Sequence, residues 1–312
     1  MASQQLMRKP TAIKVGDTVA FAAPASSVAK NKFAYAVSAF RSRGYSVLIG
    51  ECCEPKSQAE SWSDEEKVAE LRRFWQDESI RAIVCVRGGY GCARLLEHID
   101  FREFAEHPKL FAGFSDITTL HIALNNAGMI TLHSPMGTTL TAESPAWVAD
   151  ALFNTLEGRI PSVPEMIEVQ TVVRGIAEGQ LVGGCVRLVC DSLGTPYEIE
   201  TKDKILVLED VDESLHRVDA MLTHLRNSGK LQQAAGVVIG EFTGTNEKRK
   251  EGELSPTWQE IVEERLISLG KPTIIGFPIG HKPENMTLPL GALARLDANR
   301  GTLECLEPAA IV

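Results

Sequence analysis

Apolar and polar positions alternate in blocks along the first half of the chain. Short, nearly continuous apolar runs at 18–23 (TVAFAA), 45–49 (YSVLI), 80–86 (IRAIVCV), 110–114 (LFAGF) and 129–133 (MITLH) read as strands. Amphipathic stretches at 28–43, 64–77, 91–97 and 116–127 read as the helices between them. Strand–helix alternation with unbroken apolar strands predicts a parallel sheet covered on both faces. Over 141–178 the pattern lapses into prolines and mixed polar residues, as expected of a connection between domains. It resumes with strands at 204–208 (KILVL), 235–240 (AGVVIG), 273–276 (TIIG), 292–296 and 302–306, and helices at 214–228 and 256–269. The expected organisation is an α/β domain over 1–145, a linker over 146–178 and a second α/β domain over 179–312. The charged, glycine-bounded segment 244–254 is expected to form a surface loop.

Composition narrows the choice of function. The 312 residues have a formal net charge of −9 and no basic cluster, so neither nucleic acid nor an anionic membrane is expected as a partner. No apolar run approaches the roughly 18 residues that span a bilayer, and the first residues lack the apolar core of a signal peptide. Seven cysteines, at 52, 53, 85, 92, 185, 190 and 305, are scattered without a zinc-ligand spacing. A reduced, cytoplasmic chain with no metal and no cofactor is expected. A homodimer, the commonest closed oligomer, is the expected assembly.

Four segments could carry chemistry. In LFAGFSDITTLHIAL (110–124) a strand delivers Ser115 to a turn, and Asp116 opens a helix whose N-terminus could stabilise an oxyanion. The nucleophile-elbow pattern G-x-S-x-G is only partly met, because Ile117 fills the fifth position; Ser115 could equally cap the helix. In IVCVRGGYGCARLLEHI (83–99) a glycine turn between strand and helix lets backbone N–H groups approach an anion. Arg87 beside it could hold a carboxylate, although the glycines could serve only the turn. This is not a dinucleotide fingerprint, since Arg94 stands at the third glycine position and no acidic residue closes a following strand. In KILVLEDVDESLHRVDAMLTHL (204–225) Glu209 ends an apolar strand, as a functional carboxylate or as a partner of the next helix's dipole. In IIGFPIGHKPENMTLPLG (274–291) His281 follows a glycine in a proline-rich loop, as a general base or as a surface residue. The other six histidines sit on helices, strand ends or loop ends.

In this order, VGDTVAFAAPAS (15–26), RGGYG (87–91), GFSDIT (113–118), EDVDE (209–213) with HRVDAMLTHL (216–225), and GHKPENMTLPLG (280–291) resemble the LD-carboxypeptidase family of serine peptidases. The resemblance implies a flavodoxin- or Rossmann-like N-terminal sheet, a smaller C-terminal α/β domain and an active site in the cleft between them. It implies Ser115 as nucleophile, His281 as base and Glu209 as the residue orienting the base. Backbone N–H groups of Gly89 and Asp116 would form the oxyanion hole, and Arg87, Tyr90 and Arg217 would bind substrate. The implied substrate is a small peptide with a free C-terminal carboxylate, a murein tetrapeptide losing its terminal D-alanine in peptidoglycan recycling. With His281 as base, activity is expected to fall on the acid side near an ordinary histidine's pKa of ~6.5.

Two positions depart from the family pattern. Cys185 follows Gly183–Gly184 where the family has asparagine, and His216 stands in place of an aromatic residue. Three other readings remain open. These are a microcin C self-immunity type of amidase acting on a peptidyl- or aminoacyl-nucleotide, a non-catalytic protein holding an anionic ligand in its cleft, and, weakest, a nicotinamide dehydrogenase.

Overall fold

The computed structural model describes residues 6–57, 61–164, 167–246 and 255–312, and their strands form two sheets. The first contains β1 (Thr18–Ala22), β2 (Ser46–Ile49), β3 (Ile80–Cys85), β4 (Leu110–Gly113), β5 (Thr131–His133) and, from far along the chain, β11 (Leu288–Leu290). Its order is β11-β5-β4-β3-β1-β2, and every pair is parallel except β11 with β5. The 2-1-3-4-5 order of the first five strands is the flavodoxin-like one, with its crevice at the carboxyl ends of the strands. Apolar clusters lie on both faces: Phe21, Phe33, Phe40 and Phe153 belong to one, Phe74, Trp75, Phe104 and Phe111 to the other. Burial on both faces is why these strands carry so few polar residues.

The second sheet is mixed, in the order β13-β12-β7-β8-β9-β10-β6. Strands β7 (Ile176–Cys185), β8 (Ile205–Val211), β9 (Gly236–Thr243) and β10 (Thr273–Ile275) are parallel. Antiparallel β12 (Leu293–Asp297) and β13 (Thr302–Cys305) extend one side, and β6 (Gln170–Val173) closes the other. Helices Leu215–Asn227 and Trp258–Ile267 cover it, with Trp258 and Phe242 packed ring against ring.

Several features differ from the sequence pattern. Strand β8 runs three residues beyond Leu208, so Glu209 and Asp210 lie inside the sheet. Strand β7 was hidden by its glycines; a Cβ on Gly183 would come within 2.0 Å of the Val207 carbonyl oxygen on β8, so the strand needs glycine there. Within 146–178, expected to be a linker, helix Ala146–Leu156 buries Leu152, Phe153 and Leu156 in the first domain's core, and β6 belongs to the second sheet. Ala309 and Ala310, near the end of the chain, also pack in the first domain's core. Of the expected loop 244–254, residues 244–246 form a turn and 247–254 lie outside the described residues. Among the described residues no helix is long and apolar enough to cross a membrane.

Phe153 shows what the 146–156 helix contributes. Its ring stacks on Tyr45, tilts against Phe40 and lies under the Arg43 guanidinium. Phe153→Ala is expected to lower unfolding free energy by about 3–5 kcal/mol, the usual loss for a buried aromatic. Chemical denaturation of the two proteins measures it; a loss under about 1 kcal/mol would mean the helix is only peripheral to that core.

Candidate active site

Strand β4 ends at Gly113, Phe114 is extended, and Ser115 turns the chain with φ 62°. A non-glycine residue in this region is strained by on the order of 1–2 kcal/mol. The turn runs into helix Thr118–Asn126 without a side-chain cap, so Ser115 is not the helix cap. Its Oγ lies 3.1 Å from His281 Nε2. The other ring nitrogen, Nδ1, lies 2.9 Å from Glu209 Oε2. A carboxylate can only accept, so Nδ1 carries the proton and Nε2 is left to accept from the Ser115 hydroxyl. Three side chains far apart in sequence thus form one hydrogen-bonded series, from the carboxyl edge of the first sheet to the second.

Burial grades along the series. Ser115 is half-buried, the His281 side chain is 18% exposed and Glu209 is fully buried. Phe114 packs against the imidazole with ring centroids 4.8 Å apart. Gly280 brings the His281 loop close to the carboxylate, since a Cβ there would sit 3.1 Å from Glu209 Oε2; the Gly280 N–H donates to Asn285 Oδ1 at 3.2 Å. Burial disfavours protonated His281 and is the largest single influence on the ring. The Glu209 hydrogen bond and charge, with Asp210 and Asp212, outweigh it and raise the His281 pKa above its ordinary value. The ring is therefore expected to titrate above an ordinary histidine.

Asp210, next to Glu209, is pushed up to about 7 by burial and by Glu209's charge. Its oxygens accept the Val211 and Arg187 backbone N–H groups, and the Cys185 thiol lies 3.5 Å from Oδ1. The cysteine that departs from the family pattern therefore sits beside this carboxyl. His216, the other departure, is exposed on the Leu215–Asn227 helix with Ser214 Oγ 3.3 Å from its Nε2.

The glycine turn after β3 lies directly over the serine. A Cβ on Gly88 would be 2.8 Å from Ser115 Cβ, 2.9 Å from its Oγ and 3.3 Å from the Asp116 backbone nitrogen. Buried Asp116 pins this turn, its Oδ2 accepting the Cys92 N–H at 2.9 Å. Gly89 adopts φ 114°, and Ser26 Oγ accepts the Tyr90 N–H at 3.3 Å on the other side. Tyr90 is 73% exposed and Arg87 is exposed beside it. Arg217, by contrast, projects from the second domain with Nε 3.4 Å from Glu213. Among the described residues no group of three or more His, Cys, Asp and Glu side chains could hold a metal ion.

Sequence reasoning did not single out Thr118, His133, Asp210 or Asn285, all buried near the series. Asn285 lay within a quoted motif, but only the folded loop shows its bond to Gly280. His133 is fully buried, its pKa lowered by burial, and its ring packs on Phe114. His121 is pushed down to about 3 by burial, and as a neutral ring it donates Nε2–H to the Gly113 carbonyl oxygen just before the serine turn.

A flavodoxin-like sheet joined to a mixed sheet, with serine, histidine and glutamate in series across the cleft, has the architecture of a serine peptidase. Residues 19–134 match the LD-carboxypeptidase N-terminal domain and residues 178–296 match its C-terminal domain. The chain belongs to this family, peptidase S66. It is 35% identical, over 94% of its own length and 93% of the relative's, to a probable murein peptide carboxypeptidase of Bacillus subtilis. A muramoyltetrapeptide carboxypeptidase from Oxalobacter formigenes superposes with a TM-score of 0.79 at 26% identity, covering 92% of this chain and 97% of that one. The microcin C7 self-immunity protein MccF shares the fold, with a TM-score of 0.85 at 21% identity over 97% of this chain and 100% of that one.

The electrostatics of His281 can be tested without a substrate. An NMR titration of its imidazole is expected to show a midpoint above ~6.5. In Glu209→Gln the midpoint is expected to fall, because burial is then opposed only by Asp210 and Asp212. An unchanged midpoint would remove Glu209 as the source of the shift.

Proposed function

We propose that this protein is a serine carboxypeptidase that removes the terminal D-alanine from murein tetrapeptides (L-Ala-D-Glu-meso-diaminopimelate-D-Ala). The observation that carries the reading is the unbroken series Ser115–His281–Glu209 at 3.1 and 2.9 Å. In this reading His281 Nε2 takes the Ser115 proton as Oγ attacks the carbonyl carbon of the terminal peptide bond. Glu209 holds the ring and stabilises its charged form, as the acid member of a triad does. The backbone N–H groups of Gly89 and Asp116 receive the oxyanion. His281 then passes its proton to the leaving amine, D-alanine departs, and water activated by the same ring releases the acyl group.

A carboxypeptidase must distinguish a chain end from a chain middle, so a cation has to meet the free carboxylate. The surrounding cations differ in what already holds them. Arg217 and Arg187 both reach Glu213, Lys282 pairs with Glu241 at 3.0 Å, and Lys67 donates to the Ala25 carbonyl oxygen. Arg87 has no carboxylate partner among the described residues and lies on the turn that covers Ser115. We therefore assign carboxylate recognition to Arg87, with exposed Tyr90 bordering the same entrance, and give Arg217 the lesser part. All seven cysteines are free, which fits the proposed cytoplasmic role in peptidoglycan recycling.

Mass spectrometry of murein tetrapeptide incubated with the wild type and with Ser115→Ala tests the reading. The wild type is expected to release one D-alanine per peptide, and Ser115→Ala to be slower by on the order of a thousandfold or more. Product from neither, with both proteins folded and a microcin-type nucleotide amide cleaved instead, would replace the peptidase reading with the amidase one. Ligand retention without any cleavage would point to a binding protein. Arg87→Ala is expected to raise KM on the order of tenfold while kcat changes little, since its contact is made equally in ground and transition states. A fall in kcat at constant KM would place Arg87 in the reaction step.

A further inference from the structure

Three residues after the serine, Thr118 opens the Thr118–Asn126 helix and is fully buried where the two domains meet. Its Oγ1 accepts the backbone N–H of Cys185 at 3.1 Å. The contact is close, because a Cβ on Gly184 would come within 2.5 Å of the same oxygen. Cys185 is the last residue of β7, and in the parallel ladder with β8 its partner is Glu209. One side-chain oxygen on the serine's helix thus bears on the strand position directly beside the glutamate.

We infer that Thr118 is a positioning residue, whose hydroxyl fixes the separation of Ser115 from His281 by locking the serine's helix onto the strand paired with Glu209. The inference rests on the catalytic reading of Ser115, His281 and Glu209 proposed above. One turn further on, Ile122 enters the second domain's core and supplies apolar attraction between the domains. Apolar burial has no preferred direction and tolerates sliding. A hydrogen bond is restricted in both length and angle. Asn125 and Asn126 on the same helix also donate to the Leu290 and Glu198 carbonyl oxygens, but the Thr118 contact is the one that meets the strand position paired with Glu209. The glutamate and histidine both belong to the second domain, and Ser115 to the first. Loss of the Thr118 hydroxyl therefore changes the serine–histidine distance and leaves the histidine–glutamate bond in place. Thr118 touches neither the serine hydroxyl nor the ring, so its effect is one of placement.

The test compares Thr118→Val, Thr118→Ser and Thr118→Ala with the wild type in the full chain. Readouts are kcat and KM on murein tetrapeptide, the acid limb of the pH profile, and the rate at which a fluorophosphonate labels Ser115. Thr118→Val is expected to lose on the order of tenfold to a hundredfold in kcat, the scale of a small misplacement of reacting groups. Its KM should stay within about twofold and its acid limb at the wild-type position, because neither binding nor the histidine–glutamate bond is altered. Thr118→Ser keeps the oxygen and should stay within about threefold of wild-type kcat. Wild-type kcat in Thr118→Val, or an equal loss in Thr118→Ser and Thr118→Val, overturns the inference. If Thr118→Val does not fold, the Ser and Ala variants decide, since both lack the methyl group and only Ser has the oxygen; equal kcat overturns it. If the wild type leaves the tetrapeptide intact, the peptidase reading fails separately. Phosphonate labelling then decides on Thr118: slower labelling of the Val than of the Ser variant supports it, and equal rates overturn it.

Discussion

A serine at the edge of one sheet and a histidine on a loop beside another stay 3.1 Å apart only while the two domains keep one mutual position. Much of the fold serves that constraint. The chain leaves the first domain after the 146–156 helix, builds β6 to β10 of the second sheet, and then sends β11 back to pair antiparallel with β5 before β12 and β13 complete the second sheet. Leu288 of β11 faces His133 in that pairing, and His133 in turn pairs with Gly113, just before the serine turn. Ala309 and Ala310 return once more to the first core. A linker joining two separate domains would leave relative motion as the default; here the second half of the chain completes the first sheet.

The charges at the site follow from how deeply each group is buried. An isolated carboxylate as enclosed as Glu209 would be costly to keep ionised, and its compensation is the imidazole 2.9 Å away. The attraction works in both directions. It makes the ring a stronger base than its burial alone would allow, and it gives the carboxylate a partner when the ring is charged. Burial and the charge of Glu209 raise the pKa of Asp210 next door, which limits how much negative charge accumulates on adjacent strand residues.

The parallel strands were legible because burial on both faces leaves them little but apolar residues. Ser115, Glu209 and His281 were visible individually, each with an ordinary structural alternative; only the order of five motifs tied them together. In the folded chain Ser115 turns at φ 62° without capping the helix, and Glu209 faces a ring instead of a helix dipole. What stayed hidden shares one cause. β7 depends on glycines demanded by a neighbouring strand, β11 is too short for a period to show, and the 146–156 helix is recognised by the core it enters. Thr118 is the extreme case, since a threonine opening a helix looks like helix chemistry until the strand it touches is known.

The division of the series between domains separates two properties that a single-domain site would mix. The carboxylate's contribution to the ring's basicity is set within the second domain, where β8 and the Gly280–Asn285 loop hold the glutamate and histidine together. The serine–histidine distance is set between domains, by where the serine turn meets that pair. Because Gly88 rests on Ser115 and Asp116 holds the start of the following helix, the glycine turn moves with the serine. Any small shift of one domain would therefore carry Ser115 and the glycine turn together, preserving their relation while changing their common distance from His281. The serine–histidine distance thus depends on domain docking, and the histidine–glutamate bond does not.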